Sequence, residues 1–119
     1  MTAAHAIAFA LPLLPGRTDD ERAALASCWT GSRREAHRDA RRRAGITREA
    51  VWLQRTDVGD VAVVYLEADD PPRAASVLGT SPDPFDQWFR EHVRLVHGIV
   101  LAEGFPAPEQ VFDFDVDDI

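Results

Sequence analysis

The fold is decided by residues 48–68, whose sequence is REAVWLQRTDVGDVAVVYLEA. Two runs rich in β-branched and apolar residues, about 48–55 and 61–68, flank the turn signal Asp57-Val58-Gly59-Asp60. Runs of this kind on either side of a short glycine-containing turn predict a β-hairpin. The second run is apolar on both faces and is expected in the middle of a sheet. The first carries charged residues, which commonly protect the edge of a sheet.

The segment before the hairpin predicts another strand. Residues 5–14 alternate along the chain, so that one face carries His5, Ile7, Phe9 and Leu11. Both faces are apolar, which favours a central position in the sheet, like that of the second hairpin run. The start of the chain has no basic region, so we interpret it as a strand and not as a secretion signal.

A long helix is predicted between this strand and the hairpin. Thr18 is followed three residues later by Glu21, which matches a capping box, where both side chains accept hydrogen bonds from backbone N–H groups at the start of a helix. The helix is expected over about 19–44, with Gly31 as a weak point. Gly45 stands where a left-handed C-terminal cap belongs.

The region after the hairpin predicts two helices and a last strand. Asp70 can cap a short helix that ends at Gly79, and a second helix is expected over 84–97, ending at Gly98. The run 111–116 alternates between apolar and acidic residues. This alternation predicts a fourth strand.

The resulting order is β-α-β-β-α-β, in a single domain over 1–119. It predicts an α+β, ferredoxin-like fold: an antiparallel four-stranded sheet with the first and third strands in the centre and the helices on one face. A chain of 119 residues has no further layer for the other face. A second copy is therefore the expected cover, which gives a homodimer packed sheet to sheet.

This order, with its split second helical region, resembles the dimeric α/β-barrel superfamily. The resemblance is carried by residues 44–67, which match its helix end, strand, hairpin and strand, and by 82–97, with Trp88 in the helix. The overall pattern is most similar to small bacterial proteins of this superfamily, and more distantly to L-rhamnose mutarotases and antibiotic-biosynthesis monooxygenases. The resemblance implies a dimeric barrel with a small-molecule site and a role in secondary metabolism.

The mutarotases of this superfamily carry a Tyr and a His one turn apart on the first helix. When Ala44-Gly45 is aligned with the end of that helix, these positions fall at about Ala26 and Thr30. Neither side chain can donate or accept a proton as His or Tyr would. Sugar mutarotation is therefore not expected of this chain.

The helix over 84–97 carries the most informative side chain, His92. At about 100° per residue, His92 lies near the middle of an apolar stripe, and Asp86 falls on the opposite, polar face. One interpretation is a buried, neutral imidazole that bonds a backbone carbonyl or a strand side chain. The other is a general acid/base in an apolar pocket between the sheet and the helices.

The remaining candidates are mostly aromatic. Tyr65 is the second catalytic candidate because a buried hydroxyl can stabilise an oxyanion, the alternative being a core or interface aromatic. Trp29 is expected on the buried face of the first helix, and His37 is expected to be exposed. The expected substrate-binding side chains are Trp88, Phe89, Trp52, Trp29, His5 and Phe9.

Composition and motifs argue against several functional classes. The formal net charge is −7 and all 13 basic residues are arginines, five of which crowd residues 34–43. We interpret this crowd as the solvated face of a helix, and the net charge argues against a nucleic-acid partner. No run is long enough to span a membrane, and the single Cys28 permits no intrachain disulfide, which fits the cytoplasm. With no phosphate-binding glycine loop, no GxSxG and no metal-ligand spacing, no cofactor or metal is expected.

Two functions are compatible with these observations and with the resemblance. The first is a cofactor-independent enzyme that acts on a small apolar or aromatic metabolite by acid/base proton transfer, as an isomerase, cyclase or dehydratase. Cofactor-free oxygenation of the antibiotic-biosynthesis type is a variant of it. The second function is a non-catalytic accessory protein that binds a small molecule.

Overall fold

A computed structural model of the chain describes residues 5–104 and 108–118. Within these residues the chain is α+β, with a three-stranded antiparallel sheet and four α-helices. The elements in chain order are β1 (Ala6–Pro12), α1 (Thr18–Trp29), α2 (Arg34–Ala44), β2 (Ile46–Thr56), β3 (Gly59–Ala68), α3 (Pro71–Thr80), α4 (Pro84–His97) and a short 3-10 turn (Leu101–Glu103).

The sheet has the strand order β1-β3-β2. The predicted hairpin is confirmed: β2 and β3 pair antiparallel down to Thr56 and Gly59, so that two residues form the turn. Thr56 Oγ1 donates to the Gly59 carbonyl at 2.5 Å, and Gly59 has a φ of 132°, which favours glycine. The third strand is central and the second lies at an edge, as their apolar and charged faces predict.

The helices α2, α3 and α4 pack on one face of the sheet, and α1 packs on α2 and α4. On β3 this face carries the buried Ala62 and Leu66. Leu66 belongs to a core cluster with Leu78 of α3, while Ala62 packs with Val96 of α4. Full burial of an aliphatic side chain such as Val96, 1% exposed, stabilises the fold by about 1.5–3 kcal/mol. The apolar side chains on this face of β3 therefore hold α3 and α4 in position.

The opposite face of the sheet, called the open face below, is apolar in its middle, has Arg48 opposite Glu67 at one end, and carries no helix in the described part of the chain. Its cross-strand rows include Ala8, Tyr65 and Ala50, and Ala10, Val63 and Trp52. Trp52 is 58% exposed. This surface is where the sequence predicts a partner.

The single helix predicted over 19–44 is wrong, because α1 ends at Trp29 and α2 begins at Arg34. The chain turns at Gly31, where a Cβ atom would lie 2.8 Å from the Cα of Ser27. No other residue fits so close to the preceding turn, so glycine permits a complete break here and not only a bend. Gly45 does adopt the predicted left-handed cap, with a φ of 75°.

The predicted capping box is also wrong. Arg17 is the N-cap of α1 and makes no side-chain capping hydrogen bond. Thr18 Oγ1 instead donates to Asp60 Oδ2 at 2.6 Å, and Glu21 bonds His92 of α4. Both side chains have tertiary partners that compete with the local motif.

The two later helices begin and end close to their predicted positions. Asp70 and Asp83 accept the capping hydrogen bonds of α3 and α4, and Gly98 ends α4 in the left-handed conformation. Gly79 does not end α3, which continues to Thr80. A Cβ at Gly79 would lie 3.0 Å from the Leu101 carbonyl oxygen, so this glycine allows the 3-10 turn to approach the helix.

The fourth strand predicted over 111–116 pairs with no strand of the described chain. Phe112 is 79% exposed and Phe114 is 71% exposed. Period-two alternation predicts which face of a segment would be buried, but a strand also needs a neighbour for its backbone groups. Without that strand β1 pairs with β3 alone, so its predicted central position is not observed.

No helix within residues 5–104 and 108–118 is long and apolar enough to cross a membrane.

Candidate functional site

His92 lies in the interface between α1 and α4. Its Nε2 atom is 2.6 Å from Glu21 Oε1, and its side chain is 11% exposed. The ring stacks on Trp88 with the centroids 5.6 Å apart. The buried-imidazole interpretation expected a backbone carbonyl or a strand side chain as the partner of His92. The observed partner is instead a carboxylate of helix α1.

Glu21 joins His92 to a second histidine, His97. Glu21 Oε2 is 3.5 Å from His97 Nε2, and His97 Nδ1 is 2.8 Å from the Pro12 carbonyl. Burial raises the pKa of Glu21, but the hydrogen bonds and charges of His92 and His97 outweigh burial and lower it to about 2. Burial lowers the pKa of His97, and the bonds to Glu21 and Pro12 outweigh this and raise it. We call these three side chains the Glu21 cluster.

Tyr65 and His92, the two predicted catalytic residues, do not come together. Tyr65 belongs to the open face, while α4 packs on the other side of the sheet. The Tyr65 hydroxyl donates to Glu67 Oε2 at 2.5 Å, and this bond raises the pKa of Tyr65. The two predicted catalytic side chains therefore lie on opposite sides of the sheet and do not form one site.

The other predicted site residues lie in three places. Trp88 and Phe89 pack against Phe85 of the same helix, with centroids 5.5 and 6.5 Å apart. Phe9 packs on the core between the sheet and the helices, and His5 is exposed just before β1. Neither Phe9 nor His5 contributes to a pocket that contains His92.

A cleft of about 990 Å³ lies between β2 and the helices α1 and α2. It is lined by three of the predicted wall residues: Trp29 from the end of α1, Phe89 from α4, and Trp52, which lies on the open face of the edge strand β2, so that the cleft extends around this edge. Trp29 is 78% exposed, so the prediction that it lies on a buried helix face is wrong. The break after Trp29 ends the helical stripe on which that prediction depended.

The polar centre of the cleft consists of His37, Arg41 and Glu49. Glu49 Oε1 is 2.9 Å from His37 Nε2 and accepts from Arg41 Nε at 2.9 Å, while Arg41 Nη2 donates to Oε2 at 3.4 Å. Burial raises the pKa of Glu49, but the Arg41 charge and the bonds from His37 and Arg41 lower it to about 2. Glu49 is therefore a carboxylate at every ordinary pH. We call these three side chains the Glu49 cluster.

Arg41 is held firmly in this cluster. Its side chain is 7% exposed, and its guanidinium lies over the ring of Phe89 at 4.4 Å. One nitrogen, Nη1, is buried and has no hydrogen-bond partner among the described residues. Buried donors are nearly always bonded, so this N–H marks a place where an acceptor is needed.

The sequence contained a signal for the Glu49 cluster. His37 and Arg41 are four residues apart and share one side of a helix, contrary to the expectation that His37 is exposed. Glu49 alternates with Val51 and Leu53 on the helix-facing side of β2. A carboxylate on an otherwise apolar strand face needs a buried partner, and that requirement points to a basic residue on the helix above it.

A similar requirement applies to Asp86, which was expected on the polar face of α4. Asp86 is 1% exposed, and Arg43 of α2 donates to its Oδ2 at 3.5 Å. It lies in the first turn of α4, where a carboxylate interacts favourably with the helix dipole. The face predicted to be polar is thus partly buried by α2.

Cys28 lines the cleft but is not prepared for nucleophilic chemistry. It is buried, and burial raises the pKa of its thiol. A thiol above its usual pKa is largely protonated at neutral pH and is a weak nucleophile. Within the described residues no group of three or more His, Cys, Asp or Glu side chains is placed to hold a metal ion.

No model of a known protein family matches this chain. A search of curated proteins likewise found no match. The site is therefore interpreted from its geometry alone.

Proposed function

We propose that this chain is a cofactor-independent enzyme that transfers a proton on a small, largely aromatic molecule bound in the cleft. The observation that carries the proposal is the pair of His37 and Glu49, in which a carboxylate holds an imidazole at the wall of an aromatic cleft. A base oriented by a third group is the common arrangement for moving protons in enzymes.

The three members of the Glu49 cluster have separate roles. With the proton on Nε2, His37 donates to Glu49, and Nδ1, which bonds no described residue, accepts a proton from the ligand. Glu49, with its pKa of about 2, stays ionised and orients the ring. Arg41 fixes the carboxylate through two hydrogen bonds. The same base would serve oxygenation of an activated phenol by removing the phenolic proton.

His92 remains the alternative base, as the sequence predicts. It is held by Glu21 in the same way that His37 is held by Glu49. However, His92 lies between α1 and α4 and is not among the residues that line the cleft. We therefore assign His92 to fixing α4 on α1, and His37 to the chemistry.

The test is solvent deuterium incorporation, which detects proton transfer without knowledge of the product. The protein is incubated in D2O with a panel of aromatic ketones and 2-keto acids, and carbon-bound deuterium is measured by NMR. We expect exchange above the buffer rate with the wild type, loss of it in His37→Gln and retention in His92→Gln. Gln can still donate to the carboxylate, so the fold is kept. The reverse pattern would assign the acid/base role to His92.

A non-catalytic binding protein is the second candidate, and the exposure of Trp29 favours it. At 78% exposure this side chain leaves the cleft open to water, whereas sites for proton transfer commonly exclude water. Binding of panel members without deuterium incorporation above the buffer rate would support this candidate over the enzyme.

We further propose that the chain forms a dimeric α/β barrel, the assembly that its order of predicted elements resembles. A second copy would cover the open face, where Val63 lies between Ala10 and Trp52. Residues 111–116 would then serve as the fourth strand along the free edge of β1. The support is the apolar open face together with the exposed, alternating segment.

Light scattering at micromolar concentration tests the dimer. We expect twice the chain mass for the wild type and the single chain mass for Val63→Glu, which places a charge in the middle of the open face. Val58→Glu is the matched control, since Val58 is 98% exposed at the hairpin turn. A monomeric wild type would contradict the proposal.

A further inference from the structure

We propose that the cleft recognises an aromatic carboxylate, with the arginines of α2 binding the anionic group and the aromatic walls binding the rings. This inference rests on the proposed function only in that the cleft is the binding site. It does not depend on proton transfer. The ligand class is a small aromatic acid.

The first argument is the local charge, which is opposite to that of the whole chain. The chain carries a formal net charge of −7, yet five arginines and two carboxylates line the cleft. The two carboxylates are Glu49 and Asp69, and the arginines are Arg34, Arg38, Arg41, Arg42 and Arg48. A basic concavity on an acidic protein concentrates anions locally while the rest of the surface repels them.

The second argument is that the basic charge is only partly neutralised. Glu49 is already shared by Arg41 and His37, and Arg38 has a weak partner in Glu35 at 3.8 Å. Arg34 and Arg42 form no ion pair with any residue of the described ranges. They stand just over two helical turns apart on α2 and both line the cleft. Such groups are available to a ligand.

The third argument is the unpaired N–H of Arg41. Its Nη1 is buried without a partner, although the other donors of this side chain that bond Glu49 are satisfied. Leaving a buried charged donor unpaired costs free energy, and an acceptor that reaches it recovers that cost. A carboxylate is the acceptor whose geometry best matches a guanidinium.

The fourth argument is the shape and composition of the walls. Trp29 and Phe89 provide flat apolar surfaces, Trp52 adds a third from the open-face side of the β2 edge, and the cleft of about 990 Å³ exceeds what a single ring needs. Pockets for small organic molecules combine such walls with a few polar groups that fix orientation. Aromatic walls beside arginines therefore select a molecule with rings at one end and an anion at the other.

The experiment compares 2-naphthoate with its neutral isostere 2-naphthamide, by NMR of the three tryptophan indole N–H signals. Single Trp→Phe variants assign the signals. We expect 2-naphthoate to shift the signals of Trp29 and Trp52 and to leave that of Trp88, and to bind about tenfold more tightly than the amide. Its affinity should fall as the salt concentration rises, since partly exposed charges are screened.

Charge variants localise the anionic group. Arg34→Gln and Arg42→Gln are expected to weaken 2-naphthoate binding several-fold without changing the binding of 2-naphthamide. Arg55→Gln is the matched control, because Arg55 is an exposed arginine of β2 outside the cleft. It removes the same charge and should leave both affinities unchanged.

The outcomes separate this inference from the proposed function. Equal affinity for acid and amide, with shifts at Trp29 and Trp52, would overturn the anionic ligand class and leave the cleft as the binding site. Shifts confined to Trp88, or no shifts with either compound at millimolar concentration, would overturn both the inference and the cleft as the site. If Arg55→Gln weakened 2-naphthoate binding as much as Arg34→Gln and Arg42→Gln do, the overall charge of the protein would explain the effect. That result would contradict recognition by the arginines of α2.

Discussion

The molecule contains two clusters of the same chemical type in different surroundings. In the Glu21 cluster and in the Glu49 cluster, a glutamate binds the Nε2 of a histidine, and its pKa is lowered to about 2. The third member differs, because it is His97 in one and Arg41 in the other. Similar local chemistry therefore occurs in two different surroundings.

The two clusters differ in whether a ligand can reach them and in whether the third member can lose its positive charge. The side chains of the Glu21 cluster are at most 11% exposed, whereas the Glu49 cluster lines a cleft. A histidine can release its proton when its partner is lost, but an arginine remains charged in proteins. The Glu49 cluster is therefore the more costly to disrupt, although it is also the one open to a ligand.

The largest effect is expected for Glu49→Gln. This substitution leaves the buried Arg41 without its carboxylate, and a buried charge that loses its partner destabilises a protein by about 4 kcal/mol. Urea unfolding followed by circular dichroism measures the loss. Thr47→Val provides a control on the same strand, since Thr47 is exposed and bonds only a backbone carbonyl. A loss below about 1 kcal/mol would mean that Arg41 finds another acceptor.

Glu21→Gln is expected to have a smaller effect, of about 2 kcal/mol. An imidazole, unlike a guanidinium, can exist without its extra proton, so the substitution leaves no charge that must stay buried without a partner. The same unfolding experiment compares the two variants directly. If Glu21→Gln destabilised the protein more than Glu49→Gln, the contrast between a titratable and a permanent partner would be wrong.

The pH dependence of stability should distinguish the clusters further. The raised pKa of His97 means that its contribution is fully present below about 6.5, its usual value, and is lost as the pH rises through the folded value. The lowered pKa of both glutamates means that their contribution is present above about 4.5 and is lost as the pH falls towards 2. Stability should therefore decline on both sides of this window.

His97→Gln separates the alkaline decline from the acidic one. In this variant the decline above pH 6.5 should be weakened, while the acid decline due to Glu49 should remain. Thermal unfolding midpoints at pH 5, 7 and 9 measure the change. An alkaline decline that is unchanged in His97→Gln would assign it to another group.

Much of the fold could be predicted from local signals because the signals and the tertiary contacts agree. The hairpin turn, the caps at Asp70 and Asp83, and the left-handed Gly45 and Gly98 were each identified from neighbouring residues. The capping box failed because Thr18 and Glu21 bond distant residues, Asp60 and His92, which no local pattern specifies. The predicted first helix was too long because the chain breaks at Gly31, where the absence of a Cβ lets the backbone lie close against Ser27.

The candidate site was only partly predictable for the same reason. Three aromatic walls were identified because large aromatic residues commonly line pockets, and the cleft gathers Trp29, Trp52 and Phe89. The polar centre was missed because the arginine-rich helix was interpreted as a solvated face. Arg41 is buried by its packing on Phe89 and by Glu49, two contacts that depend on how α2, α4 and β2 meet.

The smallest stability effect, and the sharpest separation of stability from binding, is expected for Trp29→Ala. Trp29 is 78% exposed, so its removal should change the free energy of unfolding by less than about 0.5 kcal/mol. The same substitution removes one wall of the cleft and should weaken 2-naphthoate binding several-fold. Trp88→Ala is the contrasting variant, because Trp88 stacks on His92 and lies under Arg33 at 3.9 Å, away from the cleft lining. It should destabilise the protein and preserve binding.

If both variants lost stability and binding together, the two clusters would belong to one cooperative site, and the division between a structural cluster and a functional one would fail.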